Sequence, residues 1–198
     1  MSNKYFTNDD AQYFKKKLKN KYTIFISDIR DTDLNEQSNI GEIIINSDMN
    51  SQYNWCKILN ADISFLKFRM PRLNQNENKF IDGEIYIQAF ANTTTTETRL
   101  VTKKNAKDKI YYLDDYEDKL YYHNRILRVC DYSKLHKYKY KYFCNCYDCS
   151  LFFLILEDYI NKYNKKMSIY LLIKTILHKL ENSKKLKDKY LYIMENIK

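Results

Sequence analysis

Two glycines and one proline stand in a chain of 198 residues, and the shortage of glycine excludes a class of site. A loop that cradles a nucleotide needs several glycines close together, because only glycine lets the backbone approach a ligand closely in left-handed conformations. Gly41 and Gly83 cannot supply one. Long apolar runs are lacking too. The most hydrophobic stretch, Leu151 to Leu156, is stopped by Glu157 and Asp158, so membrane insertion is not expected. No basic start followed by an apolar segment opens the sequence, and secretion is not expected either. The five cysteines are odd in number and fit a reducing, cytosolic compartment better than a disulfide framework.

What is present suffices for a core. Apolar residues make up 44% and aromatics 16%, which supports one globular domain and not two large ones. The net charge of +9 is unevenly placed: residues 1–100 hold 13 Lys or Arg against 13 Asp or Glu, and residues 101–198 hold 21 against 12. A polyanion, nucleic acid first, is the natural partner for the second half, and a solvated lysine-rich surface is the plainer reading.

Thr7 to Asp10 reads as a helix start, with Ala11, Phe14 and Leu18 on one face of a short helix ending near Asn20. Tyr22 to Ile29 is a nearly continuous apolar run, expected as a strand buried on both faces of a parallel sheet. Asp31 to Gly41 reads as a loop, Glu42 to Leu59 as a helix, Asp62 to Met70 as a second strand, and Pro71 to Lys79 as another loop. Glu84 to Ala91 and Glu97 to Lys103 form the pattern of a hairpin. From Asp114 the period becomes helical. Tyr116 to Val129, Cys149 to Tyr163 and Ile169 to Leu180 are expected helices, with a further one near Lys187 to Ile197. The fold class is therefore α/β, with helices gathered toward the C-terminus.

Asp28, Lys67 and Glu97 stand at or near the ends of successive expected strands. An α/β sheet gathers strand ends around one crevice, so residues far apart in sequence can converge there. Taken singly, each is also an ordinary strand-end charge.

The segments ISDIR, FLKFRMP, QAFANTTTTETRL and DYEDKLYYHNRILR resemble, in order and spacing, the poxvirus-type family of cap-specific mRNA (nucleoside-2'-O-)-methyltransferases that double as poly(A) polymerase regulatory subunits. The similarity runs from about Tyr5 to about Tyr163. It implies the later part of a Rossmann-like sheet that binds S-adenosylmethionine, with a terminal antiparallel hairpin followed by helices. Residues 1–130 would be the C-terminal half of the methyltransferase-like domain and residues 131–198 a basic, Tyr- and Lys-rich helical extension. Asp28, Lys67 and Glu97 match three members of the family's Lys-Asp-Lys-Glu site, and the first lysine has no counterpart. The family's cofactor is S-adenosylmethionine, but no glycine-rich strand-turn-helix precedes Asp28.

Methyl transfer to a ribose 2'-hydroxyl is an in-line displacement in which the hydroxyl sheds a proton to a base. A lysine can be that base when its neighbours disfavour an ammonium. Arg99, two residues from Glu97 on the same strand face, acts in that sense; Asp28 and Glu97 act in the other. By the same resemblance Glu117 would read the cap guanine, although Arg72 replaces a stacking aromatic and Asn74 an acidic residue. A carboxylate favoured by the helix dipole is the plainer reading of Glu117.

Lys134, Lys137, Tyr138, Lys139, Tyr140 and Lys141 alternate charge and ring as a binder of single-stranded RNA would, or form a solvated loop. Cys144, Cys146 and Cys149, with Cys130 and His136, lack the paired spacing of structural zinc and are expected to hold no metal. Two functions follow. One is a cap 2'-O-methyltransferase part acting on capped mRNA, its cofactor half supplied by another chain. The other is a non-catalytic RNA-binding accessory of a poly(A) polymerase catalytic subunit. Either belongs in a host cytoplasm or virion, away from membranes.

Overall fold

A computed structural model describes residues 5–30, 39–73, 76–132, 145–163 and 166–180. The chain divides into two compact units, Met1–Tyr122 and His123–Lys198. The first is a mixed α/β unit.

It begins with helix α1 (Asn8–Lys17), closed by a capping box in which the Thr7 side chain accepts from the Asp10 N–H while the Asp10 carboxylate accepts from the Thr7 N–H. Strand β1 (Ile24–Ser27) leads to helix α2 (Asn39–Leu59) and strand β2 (Ile63–Phe68). The helix carries the chain back along the sheet, so β1 and β2 lie side by side and parallel, Ile24 opposite Ile63. Strands β3 (Glu77–Ile81), β4 (Glu84–Ile87), β5 (Thr98–Lys103) and β6 (Asp108–Tyr112) follow, then helix α3 (Leu113–Arg125). The main sheet has the order β1-β2-β5-β4, with β5 antiparallel to both neighbours, while β3 and β6 form a separate two-stranded ribbon.

The alternation in β2 decides which side chains meet the core. Ser64, Leu66 and Phe68 are buried, and Ile63, Phe65 and Lys67 face the other way. Ile45, Met49 and Cys56 of α2 pack with Leu66, Phe68 and Leu100, together with Phe80, Tyr111 and Tyr116. Phe68 is fully buried, its ring 5.2 Å from Tyr111 and 5.6 Å from Phe80. Phe6 sets its ring 5.2 Å from Trp55 and 6.1 Å from Phe25, fixing the start of the chain to α2 and β1.

Three expectations are corrected. β1 is not buried on both faces: Ile24 and Ile26 are 55% and 73% exposed, because only the face carrying Phe25 and Ser27 is turned to the core. The loop expected over Pro71 to Lys79 ends in β3, and the unassigned residues before Asp114 hold β6. Each of these strands exists through its pairing with the other, Lys79 opposite Ile110. Gly41 lies inside α2 and not in a loop.

In the second unit a short 3-10 turn (Leu127–Val129) precedes helices α4 (Tyr147–Tyr163) and α5 (Ile169–Leu180). Phe153 and Leu156 pack with Ile169, Leu172, Ile173 and Leu177. Arg128 is paired with Asp148 at 2.7 Å, and His123 lies edge-on to Tyr147 at 5.1 Å. The helix expected near Lys187 to Ile197 falls outside the described residues.

Candidate functional site: a four-residue charge ring at the strand ends

Asp28 follows β1, Lys67 lies near the end of β2, and Glu97 and Arg99 lie at the start of antiparallel β5, so all four meet at one end of the sheet. Lys67 and Arg99 are directly opposite across the β2–β5 ladder. Lys67 Nζ lies 3.3 Å from Asp28 Oδ1 and 3.1 Å from Glu97 Oε2. Arg99 reaches the same two carboxylates, each at 2.9 Å. The result is a closed ring of alternating charge. Its depth is graded: the Lys67 side chain is 14% exposed and that of Asp28 62%.

Several residues that sequence reasoning missed hold this ring in place. Gln52, fully buried on α2, donates through Nε2 to the Lys67 carbonyl and accepts the Lys67 N–H at Oε1, both at 3.0 Å. One side chain thus satisfies both main-chain groups of Lys67. Gln88 donates to Glu97 at 2.8 Å. Arg30, its side chain 8% exposed, stands 3.9 Å from Glu97 and 3.8 Å from Asp48. Burial works to raise the Glu97 carboxyl, but hydrogen bonds from Gln88, Lys67 and Arg99 outweigh it and hold that carboxyl below its ordinary value. The signal for Gln52 was its place on the same helical face as Ile45, Met49 and Cys56, where an amide needs partners.

The family model for the poly(A) polymerase regulatory subunit matches residues 1–198. The chain belongs to that family. A solved structure of bluetongue virus VP4, described as a multifunctional RNA-capping production line, superposes with a TM-score of 0.45 at 14% identity. That superposition covers 60% of this chain and 20% of the other. No curated protein matches the sequence.

In this member of the regulatory-subunit family Glu117 lies outside the ring. Its carboxylate accepts from Arg72 Nε at 2.6 Å on α3, and both side chains are well exposed. The Arg72 N–H is itself held by Glu42, whose other oxygen pairs with buried Arg69 at 2.6 Å. Arg72 is thus held between the Glu42 and Glu117 carboxylates. Lys134, Lys137, Tyr138, Lys139, Tyr140 and Lys141 lie outside the described residues, as do Cys144 and His136. Among the described residues no group of three or more His, Cys, Asp or Glu is placed to hold a metal ion.

Neither glycine among the described residues offers a loop for S-adenosylmethionine. Gly41 is buried within α2, and a Cβ on Gly83 would come within 2.6 Å of the Val101 carbonyl oxygen, so that glycine serves strand packing. Two cavities, of about 430 and 540 Å³, are lined by none of the four ring residues.

Proposed function

We propose that the chain supplies the RNA side of a cap ribose 2'-O-methyltransferase centre, with Lys67 meeting the 2'-hydroxyl. The observation that carries this reading is the seating of Lys67 between Asp28 and Glu97 at the strand ends. An ammonium has three donors. Two are directed at the carboxylates, and the third leaves a position for a hydroxyl oxygen. In its amine form Lys67 Nζ can accept the hydroxyl proton, and the ammonium that results is stabilised by both carboxylates. Arg99, bonded to the same pair, holds both carboxylates against Lys67. S-adenosylmethionine is the methyl donor that the family resemblance implies, and no described residue is assigned to it.

The test is transfer of labelled methyl from S-adenosylmethionine to capped RNA, by the chain combined with its poly(A) polymerase catalytic subunit. Lys67→Ala is expected to lower the rate about 10²- to 10⁴-fold, the contribution of a general base, with RNA affinity changed less than about twofold. Equal loss of rate and affinity would make Lys67 a phosphate contact and sink the proposal.

A second reading is a non-catalytic RNA-binding accessory that makes poly(A) polymerase processive. It is favoured by the match of the whole chain to the poly(A) polymerase regulatory subunit family. Under it, calorimetry at millimolar S-adenosylmethionine gives no saturable heat, and Lys67→Ala leaves tail lengthening by the catalytic subunit unchanged.

A further inference from the structure

We propose that the groove at the opposite end of the β1–β2 pair binds the sugar-phosphate backbone of single-stranded RNA. It is a cavity of about 430 Å³ between the end of α1, the entry to β1 and the exit from β5. Lys15, Lys19, Lys21 and Lys104 line it, and all four are exposed. Among its lining residues Asp62 is the one carboxylate, and it is already engaged: it accepts from the Thr23 N–H at 2.7 Å and lies 3.5 Å from Lys104 Nζ.

Helix capping does not account for this charge. A helix C-terminus favours cations in its last turn, which covers Lys15. Lys19 and Lys21 lie beyond the helix, and Lys104 comes from the turn after β5. The fold therefore brings like charges from separate segments into one concavity, where they repel until a polyanion enters.

The aromatic content points to RNA. Tyr22 lines the groove with 71% of its surface exposed, and Phe14 with 37%, which suits stacking of unpaired bases beside the phosphates. A membrane surface would call for apolar side chains projecting past the lysines; Leu18 and Leu59 of the groove are instead half-buried. No residue of the charge ring lines this groove, so the two proposals fail independently.

The experiment is fluorescence anisotropy of a labelled, uncapped single-stranded RNA oligonucleotide, titrated with the full chain at several salt concentrations. Replacing Lys15, Lys19 and Lys21 together by alanine should weaken binding at least about tenfold at low salt. It should also flatten the log–log salt slope by about 2, at roughly 0.7 per phosphate contact on a single strand. Tyr22→Ala should weaken binding about tenfold and leave the slope alone. Replacing Lys79, Lys109 and Lys119 by alanine removes equal charge elsewhere on the same unit and should leave the slope unchanged. Arginine at the three groove positions keeps the charge and should keep the slope; a slope lost there too would trace the effect to folding and overturn the site. Unchanged affinity and slope in the groove triple alanine variant would overturn it. So would intact RNA binding in that variant with lost binding to phosphatidylserine vesicles, which would make the groove a membrane surface.

Discussion

The two ends of the β1–β2 pair use the same residue type in opposite ways. At the carboxyl end Lys67, Arg99 and Arg30 each face carboxylates, and the charges nearly cancel. At the amino end Lys15, Lys19, Lys21 and Lys104 line a groove whose one carboxylate among the described lining residues, Asp62, is paired with Lys104 alone. The first arrangement fixes the position of one nitrogen to within hydrogen-bonding distance while producing little field. The second produces a field and fixes nothing. Chemistry on one atom needs the former, and attraction of a flexible polyanion needs the latter. The ends lie about 17 Å apart by the rise of the intervening strand residues, beyond a Debye length at physiological salt. Changes at one end should therefore leave the other undisturbed.

The largest effect that tests this separation is expected at Gln52. Gln52→Leu keeps the volume but leaves the Lys67 N–H and carbonyl without their partners. At about 1–3 kcal/mol for each buried group left unsatisfied, the variant should lose roughly 2–6 kcal/mol in urea unfolding. Methyl transfer should fall with the displacement of Lys67, while affinity for uncapped RNA at a temperature where the variant is folded should not. A parallel loss of RNA affinity would show that the two ends are coupled.

A smaller effect is expected from acid. The Glu97 carboxyl titrates below its ordinary 4.5 when folded, so its contribution to stability is complete above about that pH and is lost as pH falls through the lower folded value. The stability gap between wild type and Glu97→Gln, at most about 1 kcal/mol for a partly exposed pair network, should therefore close on acidification below pH 4.5. A gap that widened toward acid would mean that the ring does not favour the ionised carboxylate.

How much of this was legible in the sequence follows from the range of the interactions. The Thr7–Asp10 helix start, the apolar run of ISFLKF and the spacing of Ile169, Leu172, Ile173, Ile176 and Leu180 each act within a few residues, and their elements lie where the local pattern puts them. β3 buries only Phe80 and Ile81, and β6 only Tyr111, so neither announces itself without the other. At the carboxyl end, Asp28, Lys67 and Glu97 were visible as strand-end charges and Arg99 as a neighbour on the face of Glu97, and the structure brings the four together. Gln52 was legible only as an amide on an apolar face; its partner was not, because it lies in a main chain 15 residues away that only packing brings to it. At the amino end the lysines were plain in the sequence. Their concavity was not, since Lys104 joins Lys15, Lys19 and Lys21 only through the order of the sheet.

The smallest predicted effect sharpens the comparison most, because it concerns the one carboxylate among the described residues that line the basic groove. The Asp62 carboxyl is held below its ordinary value, chiefly by the Thr23 N–H and further by Lys104, so it is ionised throughout the neutral range. Asp62→Asn retains an oxygen to accept the Thr23 N–H, removes the charge and releases Lys104 from its pair. A phosphate in the groove would then meet one repulsion fewer and one lysine more. Through water at several ångströms, a unit charge changes affinity by about two- to threefold. RNA affinity should rise by that factor at low salt, and the gain should vanish at about 1 M salt, where screening is complete within about 3 Å. The same substitution should leave methyl transfer unchanged at saturating RNA, since Asp62 is remote from Lys67. Weaker RNA binding by Asp62→Asn, with folding intact, would mean that the carboxylate orders the groove and not merely that it opposes the ligand; the view of this end as a field without fixed geometry would then fail.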